Sequence, residues 1–74
     1  MLIGKIATNT KHRLMVTIED HKGTKVVDLR SYQIVNGGEL VPTQDGISLN
    51  PEKVDAVIDL LRKAQKRIAG AGAN

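Results

Sequence analysis

The chain changes its hydrophobic period once, at Asn50, and that change fixes the kind of fold available to it. Upstream, Leu14, Val16 and Ile18 alternate with Met15, Thr17 and Glu19. Period two with β-branched residues predicts a half-buried strand over 13–20. From Lys25 to Val35, Val27, Leu29 and Val35 share one parity, while Asp28, Arg30 and Tyr32 share the other. A strand of that length is expected to bend or bulge. Downstream, apolar residues recur at Val54, Val57, Ile58, Leu61, Ala64 and Ile68, a single helical stripe. Pro51 suits a first helical position, Asn50 a cap, and Glu52 and Asp55 the positive end of the helix dipole. The pattern predicts a helix over 51–69 with Arg62, Lys63, Lys66 and Arg67 in its last turns.

The breaks between these runs are turn signals. Asp20-His21-Lys22-Gly23 reads as a turn. Asn36-Gly37-Gly38 reads as a type I′ hairpin. Thr43-Gln44-Asp45-Gly46 separates two short strand candidates, Glu39–Val41 and Ile47–Leu49, and Pro42 confines the first to an edge or a bend. The expectation is one α+β domain over 1–74. An arm or extra strand occupies 1–12, with Leu2–Ile6 as its strand candidate. A meander of four antiparallel strands occupies 13–50, the helix 51–69, and a frayed tail 70–74.

A domain of 74 residues buries only a thin core. The sequence has no cysteine, which excludes disulfides and thiolate metal sites. His12 and His21 lie apart without ligand spacing, so neither a metal nor a cofactor is expected. A partner chain is the remaining means of support, and a homodimer is expected. Leu60, off the helical stripe, adds a second apolar surface. The core is aliphatic, since Tyr32 is the only aromatic residue. Eleven Lys and Arg against eight Asp and Glu give a net charge of +3, which permits nucleic acid as a partner without demanding it. No nucleophile–base set and no glycine-rich phosphate loop is visible, so an enzyme is the weakest class. No apolar run reaches the roughly 18 residues of a membrane span and no secretory signal is present, so an intracellular protein is expected.

Several motifs then line up in order: His21-Lys22-Gly23, Asp28-Leu29-Arg30-Ser31-Tyr32, Gly38-Glu39-Leu40, Pro42, and Gly46-Ile47-Ser48-Leu49-Asn50-Pro51-Glu52. In that order they resemble the C-terminal domain of the transcriptional positive cofactor 4 family, from about Val16 to the end of the helix. The family consists of single-stranded-DNA-binding transcription coactivators. The resemblance implies a curved four-stranded antiparallel sheet followed by one C-terminal helix, dimeric through helix and sheet, with channels for unpaired strands. Its largely sequence-independent mode rests on backbone contacts and some stacking.

Carried onto this sequence, the resemblance makes Lys22 and Arg30 DNA-contacting. It places His21 where well-known members carry a stacking Phe. Thr24 replaces a lysine, for which neighbouring Lys25 can substitute. Gln33 replaces a stacking Trp, and Gln44 and Asp45 replace a basic pair. Lys5, Lys11 and Arg13 upstream restore positive charge.

The expected nucleic-acid-binding residues are therefore Lys22, Lys25 and Arg30, then His21, Lys11, Arg13 and Lys5. The expected dimer seam holds Val54, Val57, Ile58, Leu61 and Tyr32. The expected partners are single-stranded DNA, melted duplex or RNA, a second copy of the chain, and the transcription machinery, with no membrane. The compartment would be the cytoplasm or nucleoid in a bacterium or phage, and the nucleus in a eukaryote. The rival readings are a protein-interaction module on the same fold and a duplex-DNA binder using a strand ribbon.

Overall fold

The computed structural model describes the backbone of residues 1–72 and the side chains of residues 1–70. Four strands, β1 (Leu2–Ala7), β2 (His12–His21), β3 (Thr24–Ile34) and β4 (Leu40–Leu49), are followed by one helix, α1 (Pro51–Gly72). The strands form one antiparallel sheet in the order β1-β2-β3-β4. This is the α+β architecture that the switch of period implies.

The fourth strand is not where the turn signals put it. Residues 2–7, expected as an arm or an extra strand, pair with β2 as a full member of the sheet. The two short candidates Glu39–Val41 and Ile47–Leu49 are the ends of the single strand β4. Thr43 to Asp45 do not turn the chain. They form a bulge, with Arg30 opposite Gly46 and Tyr32 opposite Pro42. The reason lies in β3, which is continuous over eleven residues and offers ladder partners on both sides of the break. Extra residues on one strand of such a pair bend it without ending the pairing.

The turn chemistry is also redistributed. Lys22 (φ 52°) and Gly23 (φ 83°) both lie in the left-handed region and join β2 to β3 as a two-residue loop, the type I′ arrangement. Asn36 to Gly38 instead form a short 3₁₀ turn in which Gly37 and Gly38, not Asn36, carry positive φ. The Val35 N–H donates to the Glu39 carbonyl at 2.8 Å and closes it.

The helix runs through Gly72 instead of stopping at Ala69, because Gly70 does not take the left-handed conformation that would end it. Its last turn accordingly holds no cation. The portion of the expected tail at 73–74 lies outside the described residues.

Burial is concentrated in the central strands. Among the described residues, Met15, Thr17, Val26 and Asp28 are the buried ones, all on one face, while Leu14, Val16, Ile18, Val27 and Leu29 of the other face are half-buried. Half of this small core is polar, since Thr17 and Asp28 stand opposite each other across β2 and β3. α1 touches β3, and Val54 and Val57 are the half-buried residues of the helix among positions 51–70.

Candidate nucleic-acid interface

The register sorts the expected cations. Directly paired residues in an antiparallel sheet point to the same face. Lys5, Met15, Arg30 and Gly46 form one such row, and Arg13, Tyr32 and Pro42 a second. By alternation along β2, His21 shares that face. Lys5, Arg13, His21 and Arg30 are thus brought together on one side of the sheet. Lys25 is not, because it pairs with Asp20 on the opposite parity. Lys22 sits at the tip of the β2–β3 turn and Lys11 just before β2. From one end of β2 to the other, the cations follow a track of roughly 30 Å, at about 3.3 Å per residue.

Arg30, at the middle of that track, is held in place. Its Nε donates to Asp28 Oδ2 and its Nη2 to Asp28 Oδ1, both at 3.1 Å, and its Nη1 donates to the Thr43 carbonyl at 3.0 Å. Asp28 also accepts from Ser48 Oγ at 2.8 Å. The Arg30 side chain keeps 24% of its surface exposed and Asp28 only 9%. A guanidinium has five N–H groups, so this one is both clamped and still able to donate outward.

The β4 bulge makes the clamp. Thr43 Oγ1 donates to the Ser31 carbonyl at 2.7 Å and accepts from the Asp45 N–H at 3.2 Å, which fixes the Thr43 carbonyl against Arg30. Gly46 lets the strands close beside it. A Cβ there would lie 2.7 Å from the Leu29 carbonyl oxygen and 2.8 Å from Arg30 Cα and Cβ.

The hydrogen bond from Arg30, with help from Ser48, holds the Asp28 carboxyl below its ordinary range against the opposing effect of burial. The same pair raises Arg30 and keeps it charged. A carboxyl lowered on folding stabilises the fold above the ordinary carboxylate range, and that contribution disappears as the pH falls through the lowered value. The Asp28→Asn variant has no carboxyl to titrate there. It should be less stable at neutral pH and lose less stability on acidification, as read from denaturant midpoints at several pH values.

The remaining cations differ in freedom. Lys25 Nζ pairs with Asp20 Oδ2 at 3.0 Å, both side chains being well exposed. Arg13 Nη1 donates to the Asn9 and His12 carbonyls at 2.9 and 2.8 Å. Lys5, Lys11 and Lys22 make no ion pair among the described residues and are exposed. Of the expected seam residues, Tyr32, Val54 and Val57 are half-buried, while Ile58 and Leu61 are 41% and 60% exposed.

The comparisons with known proteins fit this geometry. The family described as Transcriptional Coactivator p15 (PC4) matches residues 8–60. The chain belongs to the PC4 family. It is similar to a PC4 homolog from Burkholderia pseudomallei solved in two crystal forms. The orthorhombic form is 29% identical with a TM-score of 0.85, over 88% of each chain. The tetragonal form is 29% identical with a TM-score of 0.84, over 88% of this chain and 96% of that one. The matched region takes in β2, β3, β4 and the first half of α1, so it includes the Arg30 clamp and leaves out β1 with Lys5.

Reading the sequence alone missed Thr43, Gly46 and Ser48 as the setting of Arg30. The shared parity of Asp28 and Arg30 put the two on one face of the strand. Nothing in the sequence shows that a bulge carbonyl would complete the clamp.

Proposed function

We propose that this PC4-family chain binds single-stranded or melted DNA largely without regard to sequence, as a homodimer, in a coactivator-like role inside the cell. The observation that carries this reading is the cation track along β2 and β3, with Arg30 fixed at its centre and Lys22 free at its tip. Lysine and arginine side chains would neutralise successive phosphates, the main source of affinity in sequence-independent binding. The clamp lowers the cost of ordering Arg30, because its side chain is already immobilised before a phosphate arrives. The homodimer reading is supported by the helix, on which Ile58, Leu61 and Ile68 lie uncovered at 41%, 60% and 74% exposure.

A second reading has its own support. Asp28 pairs with Arg30 of the track, Asp20 pairs with Lys25 on the other face, and Asp45 adds an anion at the bulge. A protein-interaction module on the same fold accounts for that balance.

Titration of labelled single-stranded DNA, its RNA counterpart and the matching duplex at several salt concentrations separates the readings. Preference for the unpaired DNA is expected, with log K falling by about 0.7 per log unit of salt for each phosphate neutralised. Absence of binding at low salt would favour the interaction module. Equal or stronger duplex binding would favour a ribbon reader.

A further inference from the structure

The charge of the chain is not spread evenly. Residues 1–58 hold seven Lys and Arg against seven Asp and Glu, and so balance. All of the net +3 lies beyond them, where Arg62, Lys63, Lys66 and Arg67 face a single anion, Asp59. The four cations stand on the outer half of α1, and all are exposed. Lys63 pairs with Asp59 at 3.4 Å, whereas Arg62, Lys66 and Arg67 make no ion pair among the described residues.

The attraction of a cation to a helix C-terminus, which would account for such a cluster, fades beyond the last turn. α1 continues to Gly72, so Arg62 to Arg67 lie upstream of its last turn. Within the cluster, Arg62 neighbours Lys66 and Lys63 neighbours Arg67 at a spacing of four residues. Like charges so placed destabilise a helix. An anion from outside the chain would offset that cost.

The helix holds this patch apart from the sheet and from the apolar stripe. At 1.5 Å per residue, Arg62 and Arg67 lie about 17 and 24 Å along the axis from Pro51. α1 touches β3, and its half-buried residues, Val54 and Val57, belong to its first half. At 3.6 residues per turn, the cations centre about half a turn from Ile58, Leu61 and Ile68. A copy of the chain that covers the stripe therefore leaves them facing outward.

Charge spacing points to the occupant. Four cations over five residue steps span about 7.5 Å, or one per about 1.9 Å of axis. Duplex DNA carries one negative charge per about 1.7 Å, counting both strands, and a single strand one per about 3.4 Å. The patch matches the duplex. A protein partner would need apolar or aromatic anchors at the centre of its interface. No apolar side chain stands between these cations on their face of the helix.

We propose that the outer half of α1 is a second DNA site, which grips the phosphates of the duplex next to an unpaired strand. This rests on the reading above that the sheet takes the unpaired strand. It makes the chain a binder of the junction between melted and paired DNA. Arg62, Lys63, Lys66 and Arg67 meet phosphates alone, so the duplex contact carries no sequence information.

The test compares a labelled single strand with the same strand extended by a hairpin duplex at its 5′ or its 3′ end. Both are titrated with the full chain by fluorescence anisotropy. In at least one polarity the junction should bind about tenfold more tightly or better, as two linked contacts do. Its slope of log K against log salt should be steeper by about 3.6, from four phosphates at about 0.9 each. Arg62→Gln, Lys63→Gln, Lys66→Gln and Arg67→Gln are then combined, since glutamine keeps the helix propensity of the residues it replaces. That variant should bind the junction with the affinity and slope of the single strand. Lys63→Arg with Lys66→Arg, which keeps the charges, should keep the preference. Far-ultraviolet circular dichroism confirms that each variant folds.

Equal binding of strand and junction by the parent chain overturns this proposal and leaves the single-strand reading standing. A junction preference that survives the four glutamines overturns it as well. Displacement of the duplex by polyglutamate of equal charge overturns the choice of occupant, in favour of an acidic protein. Binding of neither DNA overturns both readings.

Discussion

The sheet and the outer part of the helix solve opposite problems with the same short chain. In the sheet, each strand lies against at least one neighbour, and a charge as demanding as Asp28 is met by Arg30 and Ser48. In α1, a helix about 33 Å long at 1.5 Å per residue, positions 58–70 are exposed throughout, with Ile58, Leu60, Leu61 and Ile68 at 41%, 63%, 60% and 74%. Along it, among the described residues, the one ion pair is Lys63 to Asp59 at 3.4 Å, exposed at both ends. An amphipathic helix draws most of its stability from covering its apolar face. The sheet is therefore specified by one chain, and the helix points to a second.

The sharpest way to break this contrast is on the helix. If a second copy covers the stripe, Ile58→Lys with Leu61→Lys should convert dimer to monomer in sedimentation. The change removes four apolar side chains per dimer, roughly 6 kcal/mol at about 1.5 kcal/mol each. The dependence of the unfolding midpoint on protein concentration should vanish with it. An unchanged sedimentation coefficient would show that the helix stands alone.

On the sheet the largest effect is expected at Gly46. Gly46→Ala forces a methyl group into the Leu29 and Arg30 backbone and should cost roughly 1–3 kcal/mol in denaturant unfolding without altering the oligomeric state.

Thr17 runs the other way. Its hydroxyl is buried, at 5% residue exposure, without a hydrogen-bond partner. Thr17→Val should stabilise the fold by about 1 kcal/mol, the desolvation cost of an unmet hydroxyl.

The smallest effect lies at the hairpin tip. Lys22 occupies a left-handed conformation that costs a side-chain-bearing residue about 1–2 kcal/mol. Glycine relieves this but loses about 0.5–1 kcal/mol of its own in chain entropy. Lys22→Gly should therefore gain only about 0.5 kcal/mol. The same change should weaken single-strand binding and reduce the salt slope by about 0.7 if Lys22 meets a phosphate. A gain in stability with unchanged binding would remove Lys22 from the interface.

How legible the molecule was depends on how far apart its causes lie in the sequence. The alternation in β2 and the stripe in α1 are local, and both elements stand where their patterns put them. The break at Thr43 to Gly46 was misleading because residues that favour turns also favour bulges, and only the length of β3 decides between the two. The first strand was ambiguous because Leu2, Ile3 and Ile6 are exposed at an edge and carry no clean alternation. The setting of His12 gave no signal, since its hydrogen-bond partner Asn9 lies in the preceding turn and its register partner Gln33 across the sheet.

By itself the sequence determined the class of fold, the position of the helix and the identities of the cations. These follow from composition and from periods a few residues long. The tertiary structure decided which cations share a face and which are held by their own carboxylates. Those depend on strand register and on a single bulge, and register is set by contacts between residues far apart along the chain.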